Sequence, residues 1–204
     1  VMGAWHELAT WYGQETVPGI SEKRSAFTWD DSTSHAAAAL AAGRALRLPE
    51  RNWNLAATQG LREQLADMGV GSVACETEAV KRVEGWWWSD GEPLKRDLDT
   101  GLDTGIKTPW LVPGLPCCEG SSRMTLPVPE WKDAAGRDWS GVIVFSIRPP
   151  RWLARKATGR EDAPPELNAE GDLLDCLARV RAHVIEEQGA FADRPGTGVG
   201  PGGR

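Results

Sequence analysis

The run Gly141-Val142-Ile143-Val144-Phe145-Ser146-Ile147 is the clearest β signal in the chain. It is near-continuously apolar and rich in β-branched and aromatic residues, the pattern of a strand buried on both faces. Pro149 and Pro150 end it. The expected hairpin partner is 123–131, across a turn at 132–138. That partner carries Pro127 and Pro129. Alternate residues of a strand send their N–H groups to the same side, so both missing donors fall on one edge. The other edge, served by Met124, Leu126 and Val128, stays free to pair.

The other strong patterns are helical. Residues 4–12 place Trp5, Leu8 and Trp11 or Tyr12 at helical spacing, and Gly13 closes the element. Residues 36–48 are rich in Ala, Leu and Arg, strong helix formers stopped by Pro49. Asn52 or Asn54 caps the next helix, which runs to Met68 with Ala57, Leu61, Leu65 and Met68 on one face. A short link between these two makes an antiparallel α-hairpin. Residues 70–75 read as a short strand and 76–88 as a helix. Residues 168–188 form an amphipathic helix with Leu173, Leu174, Leu177, Val180 and Val184 inward. The fold class is therefore α+β: an α-hairpin and additional helices packed on a small, mainly antiparallel sheet. The expected organisation is an α+β domain over 1–161, a hinge and C-terminal amphipathic helix over 162–190, and a flexible Gly-rich tail over 191–204.

The chain has 204 residues, 41% of them hydrophobic and 25% charged, and a net charge of −6. That balance excludes wholesale disorder and a disulfide-dense scaffold. It also argues against non-specific coating of nucleic acid. No apolar run reaches the ~20 residues of a membrane span, and 1–8 lack a signal-peptide pattern. Cys117 and Cys118 are adjacent, and Cys75 and Cys176 fall in apolar segments. Four reduced thiols in a reducing intracellular compartment are expected, in a protein that is not secreted.

Tryptophan dominates the aromatics, with 11 Trp against three Phe and one Tyr. Trp86, Trp87 and Trp88 are consecutive. Three consecutive indoles span about 200° of a helix and alternate faces on a strand, so they cannot all enter one core. With Trp110, they are the candidate partner-binding residues. The irregular segment 89–116 that follows is expected to support that contact.

Arg148, Arg151, Trp152, Arg155, Lys156 and Arg160 form the one basic stretch. Arginine beside an aromatic suits phosphates and bases, so this run is the candidate polyanion or RNA contact.

Other motifs carry less. Leu98 to Ile106 repeats Asp-Thr-Gly, but Asp99 and Asp103 are too close in sequence to face each other as a catalytic dyad, and successive turns explain them better. Cys117-Cys118 lacks the paired spacing of a zinc site. No phosphate loop or nucleophile elbow occurs. No catalytic residue, cofactor or metal is assigned. The reading leans towards a non-catalytic accessory subunit of a larger assembly that binds a protein partner through a Trp-rich surface. The alternatives are a small enzyme around Cys117 or Cys118, or an RNA-contacting subunit.

Overall fold

The computed structural model describes residues 1–69, 71–112, 114–115, 125–128, 132–133, 135–139, 142, 144–168 and 171–189. Helix α1 (Met2–Trp11) precedes an irregular stretch to residue 30. Helices α2 (Asp31–Ala45) and α3 (Trp53–Asp67) follow. Helix α4 (Val73–Val83) leads into β1 (Trp88–Ser89) and β2 (Glu92–Pro93). Strands β3 (Ile106–Lys107), β4 (Leu126–Pro127) and β5 (Ser146–Ile147) precede α5 (Arg151–Thr158), β6 (Leu167–Asn168) and α6 (Asp172–Gln188). The fold is α+β. Among the described residues the β structure is three two-stranded antiparallel pairs, β1–β2, β3–β4 and β5–β6.

The expected hairpin between 123–131 and 141–147 is not the pairing that forms. Leu126 lies opposite Lys107 and Pro127 opposite Ile106. Ile147 lies opposite Leu167 and Ser146 opposite Asn168. The turn between them is present, because Lys132 and Asp138 bridge antiparallel and Asp133 accepts the amides of Ala135 and Arg137. The described residues on either side pair elsewhere. The free edge expected beside Val128 is used, its N–H donating to the Gly105 carbonyl at 2.9 Å. The run 141–147 is not buried on both faces either: Val142 is 71% and Val144 69% exposed, and only Ile147 among its described residues is buried. Apolar composition shows affinity for a core, but not whether a partner strand reaches it.

The α-hairpin forms as expected. Asn52 caps α3 by accepting the amides of Asn54 and Leu55. Its buried face, however, is Ala56, Gly60 and Gln64, while Leu61 and Leu65 face outward. The cause is close backbone approach. A Cβ at Gly60 would lie 2.5 Å from the Ala41 carbonyl and 3.0 Å from the Ala45 amide. Small side chains on both helices let the backbones touch, and that contact, not the leucines, sets the rotation. Helix α4 begins at Val73 with Ser72 as its cap, so the strand expected over 70–75 is instead helix from Val73 onward.

The main core joins Trp5, Leu8 and Trp11 of α1 to Phe27, Leu98, Ile147, α5 and α6. From α6 it takes Leu173, Leu177, Val180 and Val184, as the spacing predicts. A second cluster sets Ala36 and Ala37 against Leu126, and a third holds Val83, Trp87 and Trp110. No helix among the described residues is long and apolar enough to cross a membrane. Cys176 is a buried free thiol, its pKa pushed up to about 11 by burial. Cys75 is disulfide-bonded, so the expectation of four reduced thiols fails there. Sequence spacing cannot reveal which thiols tertiary packing brings together. Without four free thiols, the reducing compartment inferred from them loses its support.

Candidate functional site

Trp87 is 1% exposed and sits at the centre of an indole cluster. Its ring centroid lies 5.3 Å from Trp110, 5.7 Å from Trp86 and 5.8 Å from Trp29, at tilted or edge-on angles that suit the ring quadrupoles. Trp110 is buried, while Trp86 and Trp88 are half-buried at the rim. The three consecutive indoles thus divide as geometry requires, the middle one inward and its neighbours outward. The Trp88 Nε1–H donates to the Val80 carbonyl at 3.3 Å. The Lys95 ammonium lies 5.0 Å over the Trp86 ring. The Trp87 Nε1–H is buried and has no acceptor among the described residues. Around this centre Val80, Leu94 and Leu111 are exposed.

The basic run lies on and beside α5. Arg151, Trp152, Arg155 and Lys156 are exposed, but acids downstream take up much of the charge. Arg148 pairs with Glu166 at 3.1 Å, Arg155 with Glu161 at 3.6 Å and Arg160 with Asp162 at 3.3 Å. Lys156 lies 5.5 Å over Trp152 and donates to the Tyr12 carbonyl. The run is contiguous in sequence, yet three of its five cations are paired with acids in space, which weakens its pull on phosphate.

The Asp-Thr-Gly repeat makes local turns, with Gly101 N–H on Asp99 Oδ1 and Ile106 N–H on Thr104 Oγ1. Cys117 and Cys118 lie outside the described residues. Among the described residues, no three His, Cys, Asp or Glu side chains are grouped to hold a metal.

A polar knot that the sequence did not announce joins α1, the 24–28 turn, the start of α2 and the 96–107 segment. Glu7 is buried on the core face of α1, and its Oε2 accepts the Phe27 amide at 2.9 Å. The next amide, Thr28, donates to Asp31 Oδ2 at 2.7 Å, as does the Thr28 hydroxyl at 2.8 Å. Two carboxyls from different helices thus grip successive amides. Burial, then the Glu7 charge, push the Asp31 carboxyl up to about 7.

Arg96 is buried over the Trp11 ring and donates to the Arg24 carbonyl at 2.8 Å and to the Ala26 carbonyl. Its Nε–H has no acceptor among the described residues. The Asp97 amide donates to the Phe27 carbonyl at 2.8 Å, and its carboxylate meets Lys107 Nζ at 2.5 Å. Burial raises Asp97 to about 7, against the attraction of Lys107. Phe27, held from both sides, has φ 58°, left-handed backbone that costs a non-glycine residue about 1–2 kcal/mol. The His35 ring lies against Gly3, where a Cβ would sit 2.5 Å from the imidazole. Burial holds the His35 pKa below its ordinary value.

One sequence signal pointed to this knot: Glu7 is a charge on the otherwise apolar stripe of α1. Asp97 and Lys107 gave none, because they lie in an irregular segment without periodicity.

Residues 1–97 match a family model described as "Protein of unknown function (DUF4056)". That stretch runs from α1 through the Trp86–Trp88 cluster to Asp97. Neither a curated protein nor a solved structure matches the chain.

Proposed function

We propose that the chain is a non-catalytic accessory domain that binds a protein partner through the Trp86–Trp88 surface. The observation that carries this reading is the division of the three indoles. Trp87 anchors the site from inside, and Trp86 and Trp88 present half-exposed rings, with Val80, Leu94 and Leu111 exposed on the neighbouring stretches of chain. Rigidly seated aromatic rings lose little freedom on binding, which is why Trp is enriched at interface hot spots. Exposed apolar side chains beside such rings favour a partner. The partner is a protein with an apolar groove wide enough for an indole. Trp110, an expected contact residue, acts here from below as support for Trp87.

The test is to isolate the protein with its bound partner from its native source, identify the partner by cross-linking, and titrate purified partner against variants. Trp86→Ala or Trp88→Ala is expected to weaken binding by ~2 kcal/mol or more with little change in melting temperature. Undiminished affinity in both variants overturns the reading, and so does a bare monomer in the native extract.

A further inference from the structure

We propose that the Cys75 disulfide closes on the Cys117-Cys118 pair and straps the 110–115 segment to α4, so that a dithiol reductant, by opening it, loosens Trp110 beneath Trp87. Cys75 is disulfide-bonded and Cys176 is free, so of the four cysteines only Cys117 or Cys118 can hold the other end. The described residues lead towards that bond. The buried side chains of α4 are Cys75 near its start and Val83 at its end. Trp110 shares a cluster with Val83 and Trp87, and Val112 packs against it. A Cβ at Gly114 would lie 3.2 Å from the Arg82 guanidinium, and Leu115 is buried. The segment thus lies against the C-terminal end of α4. Cys75 is about 12 Å back along that helix. The chain from Trp110 to Cys117 spans up to about 23 Å, so either cysteine of the pair can reach it.

Among the described residues, no hydrogen bond ties 110–112 or 114–115 to the rest of the chain. The place of this stretch rests on side-chain packing and on the disulfide. Trp110 meets Trp87 edge-on, with ring centroids 5.3 Å apart. The Trp87 carbonyl accepts the Leu94 amide at 2.7 Å and the Lys95 amide at 3.2 Å, so the seat of Trp87 also fixes the chain that follows the three indoles. Reduction removes the tether. One sulfur of the dithiol attacks the bond and expels a protein thiolate, and the second sulfur then closes on the first and expels the other. The dithiol is oxidised to a cyclic disulfide, and the two protein sulfurs take its two electrons and two protons. Trp110 is then held by packing alone. The consequence for binding rests on the Trp86–Trp88 surface proposed above: a loosened Trp87 presents its neighbours less rigidly, and partner affinity falls.

Two measurements on the whole chain test the strap. Neither uses a partner, so their failure is distinct from failure of the binding surface. Peptide mapping of alkylated, unreduced protein should join Cys75 to the peptide that carries Cys117 and Cys118, and leave one cysteine of that pair alkylated. A link from Cys75 to Cys176, or an alkylated Cys75, overturns the proposal. Amide hydrogen exchange is then followed at Leu94 and Lys95 with and without dithiothreitol. Reduction should speed exchange at these amides at least tenfold more than across α6, and re-oxidation should restore the slow rates. Unchanged rates overturn the redox control, as does an equal acceleration across α6, which is global unfolding. Cys75→Ser should show the fast rates without reductant and no response to it, and a response that persists overturns the assignment. If that variant does not fold, Cys117→Ser combined with Cys118→Ser replaces it under the same criteria.

Discussion

Lys107 is fully buried, and the Asp97 carboxylate 2.5 Å away is its neutralising partner. A buried ion pair adds little over a well-packed apolar pair, yet removing one member strands the other. Lys107→Met is therefore expected to cost about 3–5 kcal/mol, measured by urea unfolding. Adding Asp97→Leu should recover much of that loss. A single variant as stable as wild type would mean that water reaches the site. The raised carboxyl at Asp31 also sets a pH dependence. Its pKa exceeds the unfolded value of 3.8, so between pH 4 and 7 the folded chain binds more protons there than the unfolded one. Its contribution is whole below the unfolded pKa and is lost as pH rises through about 7. Stability should then fall across that window by on the order of 1 kcal/mol per pH unit, and Asp31→Asn should flatten the slope.

Among elements, the α2–α3 pair illustrates how backbone contact overrides side-chain hydrophobicity. Gly60→Ala places a methyl 2.5 Å from the Ala41 carbonyl, so the helices must part, at an expected cost of about 1–3 kcal/mol in thermal unfolding. Gly43→Ala, in the same hairpin, meets only the tip of Arg47 at 3.5 Å and should gain about 0.5–1 kcal/mol from helix propensity. Two variants with equal effects would show that Gly60 does not set the approach. Helix α4 holds the disulfide-bonded Cys75 and exposes Val73 and Val80. Cys75→Ser should lower stability by about 2–4 kcal/mol, and alkylation of folded, unreduced protein should leave Cys75 unlabelled. Labelling of Cys75 under those conditions would remove the bridge from the account.

For the whole molecule, the indole cluster separates binding from folding. Trp87 makes ring contacts with three neighbours inside the structure, so Trp87→Ala should destabilise it by about 3–5 kcal/mol. Trp86→Ala and Trp88→Ala remove half-exposed rings and should leave the melting temperature nearly unchanged. Thermal scans of the three variants distinguish an interface built on a core from a core alone. If all three unfold the protein alike, the cluster is only a core.

The amino-acid sequence by itself determined helices α1, α2, α3 and α6, because their signals are local. Asn52 caps α3, Pro49 follows the end of the 36–48 run, and of the five apolar residues at helical spacing in α6 four are buried in the core and Leu174 partly so. It also determined that Trp86, Trp87 and Trp88 could not all share one side, a consequence of chain geometry. Which of them points inward depended on Trp29 and Trp110, brought in from remote positions. Tertiary structure alone decided the strand partners, since Leu126 and Ile147 each pair with a segment that carries no strand signal of its own. It decided that Leu61 and Leu65 face outward, because glycine and alanine allow a backbone approach that hydrophobic periodicity does not register. Glu7, Asp31, Asp97 and Lys107 read as ordinary charges along the chain. Their chemistry arises only where folding excludes water, sets Asp97 against Lys107 and brings Glu7 and Asp31 to successive backbone amides.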